Sequence, residues 1–473
     1  MGATVSEPLP EPCPSPSPPR PLGRDGFLAA TADAIRGRHG REPRLALFLA
    51  RLVDLRAINE EHGHADGNRL IDALGARLAG LAGLLALGRV GGPVLAALVD
   101  LSQGLGGALR LGRQIAQPLP GPAGATCRVR AGCALWPDDA DDAAALLIRA
   151  EIALDEGASV PDAGLIFFLE EMAQRRHEER LVAARLARAL PEGHLSLAFQ
   201  PILDTATGRI GTVEALARWH DPELGPVSPA LFIPVAERHG LINALGRHVL
   251  REACLEVASW QRGPAQGVGV SVNVSPEQFT YPEVCDTVEL ALEETGLPPA
   301  LLTLELTEGL LIRDSDAAAR AMRRLAALGV RLAIDDFGTG HATFAYLRHY
   351  PVSELKMDRS LLPVSGSAET DEAIARTVLQ LAQLLGLQVV AEGVETEEQA
   401  RWACAAGARH LQGYWLAPPM PAARAQAFCA ARSEALPSGA APATEALVAA
   451  ADHSPEWPEP LRAVAVTPTQ PRG

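Results

Sequence analysis

From about residue 195 to 416 the chain runs through short strand-like segments that each close on a polar residue: Gln200, Glu214, Asn273, Glu305, Asp335 with Asp336, Lys356, Glu392 and Gln412. The residues leading to them are apolar, as in LSLAFQ, GTVE, VGVSVN, LTLE, RLAID, SELK, LQVVAE and HLQ, and helix-like stretches rich in Ala, Leu and Arg fill most of the gaps. Strands alternating with helices predict an α/β fold, and roughly eight such units predict a TIM-like (β/α)8 barrel. A parallel barrel gathers the C-terminal ends of its strands on one face, so these polar residues are expected to share a single mouth.

The mouth so predicted is rich in carboxylates. Crowding Glu214, Glu305, Asp335 and Asp336 together is costly without cations, because like charges oppose one another's ionisation. Magnesium or manganese relieves that cost, and oxygen ligands suit both ions. Asn273 adds a carbonyl oxygen without further charge, and Lys356 places a positive charge where a water or a developing phosphoryl charge would sit. The expected chemistry is metal-assisted, with two ions able to share an aspartate and activate a water.

Composition narrows the setting. The formal net charge of −15 argues against broad electrostatic binding to nucleic acid or to an anionic membrane. Seven scattered cysteines (Cys13, Cys127, Cys133, Cys254, Cys285, Cys404 and Cys429) form no CxxC pair, which fits reduced cytoplasmic thiols better than zinc knuckles or disulfides. The N-terminus lacks the basic and apolar regions of a signal peptide, and LAGLLALGRVGGPVLAAL is interrupted by Arg89 and Pro93, so no bilayer span is expected.

Five segments are expected along the chain: a Pro-rich tail over 1–24, a folded α/β region over 25–170, a charged linker helix over 171–193, the barrel over 194–433, and an Ala/Pro-rich tail over 434–473. In the first region RLALFLARL reads as a strand, residues 66–87 as helical, LGRVGGPVLAALVD as a hairpin turning at Gly91 and Gly92, CRVRAGCALWP as a strand, and DDAAALLIRAEIALDEG as a helix. The charge of EEMAQRRHEERLVAARLARALPEG marks a solvated helix face.

The segment FQPILDTATGRIGTVEALARWHDPELGPVSPALFIPVAERHGLI, followed in order by SVNVS, LELTE, IDDFGTG, LKMD, AEGVET and QGYWLAPPMP, resembles the EAL domain, a phosphodiesterase that linearises cyclic di-GMP. The resemblance covers essentially all of 180–430 and implies roles residue by residue. Glu214, Asn273, Glu305 and Asp335 correspond to metal ligands, Asp336 to a group reaching the second metal and the substrate, and Glu392 to a further metal-site carboxylate. Lys356 corresponds to the group assisting the nucleophilic water, with Glu214, Asp335 and Glu392 also catalytic. Gln200, Leu216, Arg218 and Gln412 match substrate-contact positions, and Arg218 suits a phosphate. Glu308 and Glu395 correspond to supporting carboxylates, Glu395 fixing the loop after the fifth metal-bearing strand. After DFGTG the family usually continues Tyr-Ser-Ser-Leu, whereas this chain has His341-Ala342-Thr343-Phe344, in a loop that contributes to homodimers of relatives.

Residues 43–155 resemble, more weakly, a GGDEF domain, the nucleotidyl-cyclase-like module that often precedes EAL domains. LRAIN, EHGHADGNRL and GRVGG carry the likeness. The signature itself reads Gly91-Gly92-Pro93-Val94-Leu95, Arg51 and Val53 stand where the family places metal-binding aspartates, and Ala82 and Leu85 occupy the product-inhibition RxxD positions. A cyclase needs carboxylates to hold magnesium against a triphosphate, so cyclase activity is not expected. Asn59 retains a guanine-contact position and Asn68 replaces the usual Asp, leaving GTP or a protein as possible partners of this region.

The resemblance thus implies hydrolysis of cyclic di-GMP to pGpG with two Mg2+ or Mn2+ ions. The alternative is a catalytically silent cyclic di-GMP receptor signalling through protein contacts. A protein-only scaffold is a third possibility. Glu214→Ala or Lys356→Ala is expected to abolish hydrolysis while leaving the fold intact.

Overall fold

The computed structural model describes residues 20–38, 44–101, 104–157, 164–280, 283–312, 316–338, 350–363 and 369–434. The chain divides into two compact units, Met1–Leu181 and Val182–Gly473. The helix Glu170–Glu192 crosses that division. Among the described residues no helix is long and apolar enough to cross a membrane.

In the first unit the strand Leu45–Leu52 is flanked by Val94–Asp100 and Val129–Trp136, antiparallel to both. The full sheet runs Leu22–Gly23, Leu84–Gly91, Val94–Asp100, Leu45–Leu52, Val129–Trp136, Leu165–Phe167. LALFLARL is apolar on consecutive residues because this strand is covered on both faces. Leu45, Leu47 and Leu49 pack with Phe27, Leu146 and Leu147 of the helices Arg24–Arg36 and Ala143–Glu156. Ala46, Phe48 and Ala50 pack with Leu70, Leu74 and Ile115 of the helices His64–Ala79 and Leu105–Ala116. The hairpin at Gly91 and Gly92 forms as expected. The helical reading of 66–87 is too long: the helix stops at Ala79, Gly83 takes a positive φ of 75°, and Leu84 to Leu87 belong to a strand. The Gly- and Leu-rich stretch LAGLAGLLAL keeps an apolar rhythm across that break, which periodicity alone cannot separate.

The second unit is an eight-stranded barrel. Its strands are β1 Leu195–Asp204, β2 Ile210–Asp221, β3 Gly269–Val274, β4 Leu302–Thr307, β5 Arg331–Phe337, β6 Glu354–Met357, β7 Gln388–Ala391 and β8 His410–Leu411. Neighbours from β2 to β8 are parallel, and β1 closes the ring by pairing with both β8 and β2. The expectation of a parallel barrel therefore needs one correction: β1 is antiparallel to both neighbours. The cause is local. Asp204 Oδ1 accepts the backbone N–H groups of Ala206 and Thr207 at 2.9 and 3.2 Å, and Gly208 follows at φ 70°. That is a tight turn, and a tight turn joins only antiparallel strands, whereas a parallel pair needs a crossover. Gln200 and Glu214 accordingly lie within strands rather than at strand ends, directly opposite each other in register.

Polar groups continue below the mouth of the barrel. Ser271 and Thr303 are register partners one step below the mouth, both fully buried, and their hydroxyls meet no protein partner. Nearer the floor, His410 Nδ1 lies 3.8 Å from Glu354 Oε2, with Arg331 close by. Burial, the positive charges of Arg409 and Arg331, and only partial compensation by Asp204 pull the His410 pKa down to about 4. Burial raises the Glu354 pKa against the pull of Arg331.

A depressed histidine pKa means that the folded state binds fewer protons than the unfolded chain between pH 6.5 and about 4. Its stabilising contribution is complete above pH 6.5 and is lost as pH falls through about 4, a change of about 3 kcal/mol. Glu354 works in the opposite sense, so a difference measurement is required. His410→Gln is expected to gain on the wild type by up to that amount as pH falls from 7 to 4.5. Urea unfolding followed by tryptophan fluorescence checks this, and parallel stability curves for the two proteins would refute it.

Candidate active site

Side-chain alternation and register assemble the mouth. Glu214, Leu216 and Arg218 fall on one face of β2 because successive strand residues point to opposite sides. Asn273 and Glu305 are register partners on β3 and β4, and Asp335 on β5 lies beside Thr307 of β4. Lys356 is on β6, Glu392 directly follows β7, and Gln412 directly follows β8. Asp335 and Asp336 are adjacent, so an ordinary strand would send them to opposite faces. Instead Asp336 takes a positive φ of 54° and the β5–β6 register shifts between Ile334 and Phe337. Asp is among the few residues that tolerate this conformation. The backbone break brings Asp335, Asp336 and Glu392 together, with a carboxylate oxygen of each within 4.8 Å of the others.

Lys356 is the hub. Its side chain is 1% exposed, and Nζ lies 2.7 Å from Glu305 Oε2, 2.7 Å from Glu392 Oε1, 3.3 Å from Asp335 Oδ1 and 3.6 Å from Glu214 Oε2. An amide chain runs beside it. Gln200 donates to the Ala417 carbonyl at 3.1 Å, and Gln412 Nε2 donates to Gln200 Oε1 at 3.2 Å and to Glu214 Oε2 at 2.5 Å. Asn273 Nδ2 donates to Glu214 Oε1 at 2.7 Å, so both oxygens of Glu214 accept an amide.

The electrostatics follow from that layout. Burial acts to raise the Glu214 pKa, but Lys356 and the Gln412 and Asn273 amides outweigh it and hold this carboxylate below its usual range. Glu305 goes the other way: burial, with Glu214, Asp335 and Glu392 around it, overcomes Lys356 and raises it well above the ordinary value. Burial likewise takes Glu392 up to about 8, and it raises Asp336 with help from Asp335 and Asp358. Burial would lower the Lys356 pKa, yet its four carboxylates more than reverse this and keep it an ammonium.

This donor set fits divalent cations. Glu305 Oε1 is buried and meets no hydrogen-bond donor. Five carboxylates (Glu214, Glu305, Asp335, Asp336 and Glu392) face one ammonium, a surplus that two divalent ions would bring to neutrality. Hard oxygen donors of this kind are those that magnesium and manganese take.

The remaining sequence candidates fall in three places. Glu308 is buried, and Gly338 N, three residues beyond Asp335, donates to its Oε2 at 3.4 Å. Arg218 is half-buried and donates to the Ala217 carbonyl at 2.9 Å. Glu395 is exposed, 3.6 Å from Arg359 Nη1, outside the cluster around Lys356. The altered stretch from His341 to Phe344 lies outside the described residues. Sequence reading passed over Asp358, which sits in LKMD two residues after Lys356 and bears on Asp336. It also passed over Ser271 and Thr303, which stand two residues before Asn273 and Glu305 and are reached by the same alternation.

The burial of Lys356 changes what its removal should do to the fold. Lys356→Met leaves four buried carboxylates without their cation, and breaking such a set costs about 3–5 kcal/mol. The loss is expected in full in EDTA above pH 8. It shrinks toward pH 5, because carboxylates with raised pKa values, Glu392 at about 8 among them, take up protons below those values. Urea denaturation of both proteins at the two pH values checks this, and an equal loss at both would contradict it.

The EAL domain family profile matches residues 183–419. The bifunctional diguanylate cyclase/cyclic di-GMP phosphodiesterase MucR of Pseudomonas aeruginosa is 34% identical over 411 residues, covering 86% of this chain and 59% of MucR. Cyclic di-GMP phosphodiesterase NbdA of the same species is 34% identical over 400 residues, covering 83% of this chain and 51% of NbdA. The chain thus spans about half to three-fifths of these relatives' length. The solved PaMucR phosphodiesterase, in complex with c-di-GMP, is 39% identical, covers 52% of this chain and 99% of its own, and superposes with a TM-score of 0.50. A barrel whose mouth holds these residues, matched by the family profile over half of the chain, belongs to the EAL domain family.

Proposed function

We propose that the barrel hydrolyses cyclic di-GMP to linear pGpG with two Mg2+ or Mn2+ ions. The observation that carries this reading is the set of five carboxylates gathered around the buried Lys356 ammonium. The names of MucR and NbdA, and the c-di-GMP held by PaMucR, support the choice of substrate. In the reaction a water oxygen bonds to one phosphorus, the P–O3′ bond breaks, and the leaving oxygen takes a proton.

Glu214, Asn273, Glu305, Asp335, Asp336 and Glu392 would hold the ions. Bound there, the ions would supply the Lewis acidity that activates a water and offsets phosphoryl charge. The chain's own groups do the rest. Lys356 sets a fixed positive charge beside the water and the developing charge, and being held in place it needs no reorganisation at the moment of reaction. Gln412 and Asn273 keep Glu214 ionised and aimed into the mouth. Gln200, Leu216, Arg218 and Gln412 form the substrate side, Arg218 pairing with a phosphate. Glu308 steadies the backbone after Asp336 through Gly338 N, and Glu395 is its more peripheral counterpart.

The first unit reads as a GGDEF-like domain without cyclase chemistry. Arg51 and Val53 replace the expected aspartates, and Pro93 and Val94 stand in the hairpin. The neighbouring Asp54 is occupied: its carboxylate accepts from Arg128 N at 3.0 Å, Nε at 3.2 Å and Nη2 at 2.8 Å, which holds its pKa below the ordinary value. A carboxylate so engaged is a poor magnesium ligand.

Purified protein incubated with cyclic di-GMP and Mn2+ or Mg2+ is expected to yield pGpG by chromatography and no cyclic di-GMP from GTP. Glu214→Gln and Lys356→Met should each lower kcat by at least about 10²-fold. Substituting Pro93 should leave turnover unchanged. An inactive wild type across metal and protein concentrations would defeat the reading.

A further inference from the structure

A polar atom buried in a folded protein almost always has a hydrogen-bond partner. Inside the barrel six have none among the described residues: Glu305 Oε1, Gln412 Oε1, Ser271 Oγ, Thr303 Oγ1, Arg331 Nε and His410 Nδ1. The first two belong to the mouth and its chemistry. The other four lie lower, on β3, β4, β5 and β8, and take no part in the reaction. Each stands two or four residues before a mouth residue of its own strand, so alternation turns all four inward.

The same level is short of bulk. Gly269 and Ala333 hold positions on β3 and β5 where a packed barrel carries branched side chains. A Cβ on Gly269 would stand 3.3 Å from Arg331 Nη2, so the missing side chain leaves the guanidinium its place. Ala333 and Val390 are fully buried, yet they lie outside the apolar cluster that packs around the ring. The polar contacts that cross this level are long. Arg331 Nη2 donates to Thr212 Oγ1 at 3.3 Å, and His410 Nδ1 stands 3.8 Å from Glu354 Oε2, too far for a hydrogen bond. A polar contact stretched beyond about 3.5 Å is where a bridging water belongs.

The four groups differ in what they ask for. Arg331 Nε only donates, the two hydroxyls donate and accept, and His410 Nδ1 belongs to a ring left neutral at pH 7 by a pKa of about 4. Water is the small ligand that answers all of them. A buried water makes about three hydrogen bonds and is found where otherwise unsatisfied polar groups converge. We infer that the barrel binds a cluster of ordered water beneath its catalytic layer, held by Ser271, Thr303, Arg331 and His410. The cluster lies between the floor of Arg331, Glu354 and His410 and the carboxylates around Lys356, and it supplies the hydrogen bonds that neither level provides. These groups never meet the substrate, so the water site holds whichever reaction the mouth performs.

The sign of a stability change tests this. In a dry interior an unpartnered hydroxyl is a cost, and removing it stabilises the fold; where the hydroxyl binds water, removing it breaks a bond and destabilises. Thr303→Val keeps the shape and favours a strand, so strand propensity cannot produce a loss. In EDTA, Ser271→Ala and Thr303→Val should each lower the urea midpoint of the full chain by roughly 0.3–0.5 M, while Thr303→Ser stays with the wild type. Oxygen-17 relaxation dispersion of the solvent should report fewer long-lived waters in Ser271→Ala and in Thr303→Val than in the wild type. A midpoint that rises or does not move in these two variants overturns the inference, and so does an unchanged count of long-lived waters. A fall in Thr303→Ser equal to that in Thr303→Val assigns the loss to packing and overturns it as well. Should Thr303→Val fail to fold, the same two readouts on Ser271→Ala decide.

Discussion

Lys356 brings an ammonium into a barrel interior where it is 1% exposed, and that burial is tolerable only because Glu305 and Glu392 meet it at 2.7 Å with Asp335 and Glu214 just beyond. Charges taken out of water need partners of good geometry. Here the partners exceed the need: one ammonium cannot neutralise four carboxylates, and Asp336 adds a fifth. Burial, with the crowding of carboxylates behind it, leaves Glu305 and Glu392 with raised pKa values, and Glu305 Oε1 has no donor. A site built this way is organised around cations to come, and Lys356 is the part of the positive charge that the chain itself supplies.

Polar groups also lie in the interior beneath this cluster. In barrels whose centres are only packed, inward positions are mostly bulky and branched. This barrel places Ser271 and Thr303 under the carboxylates and Glu354, Arg331 and His410 below them. Stability is supplied from outside the ring instead. Phe199, Trp219, Phe232 and Trp260 are buried there, with Phe199 against Trp260 at 5.6 Å and Trp219 against Phe232 at 5.8 Å. The split lets the interior serve chemistry while the strand–helix layer holds the fold.

The sheet of the first unit is covered on both faces, with an apolar core on each side. Arg185, past the division and on the barrel side of the helix Glu170–Glu192, pairs with the buried Asp221 at 2.9 Å and with Glu223. That anchors the end of the helix to the strand that carries Glu214.

Much of this was readable from residues alone. Apolar runs ending on Glu305, Asp335, Lys356, Glu392 and Gln412 announced strands, and alternation along them is a local property of extended chain. The hairpin at Gly91 and Gly92 and the helix from Ala143 were legible because turn chemistry and helical period are also local. Other features depended on neighbours distant in sequence. The antiparallel course of β1 set Gln200 opposite Glu214, and a broken register with a positive φ turned Asp336 to the side of Asp335. Burial alone decided that Lys356 is a hub rather than a solvated lysine. Residue order determined which groups face inward along each strand, since that follows from backbone geometry. Which of them meet, at what distance and with which charge, was decided only when eight strands closed into a ring, because register and desolvation are properties of the assembled barrel.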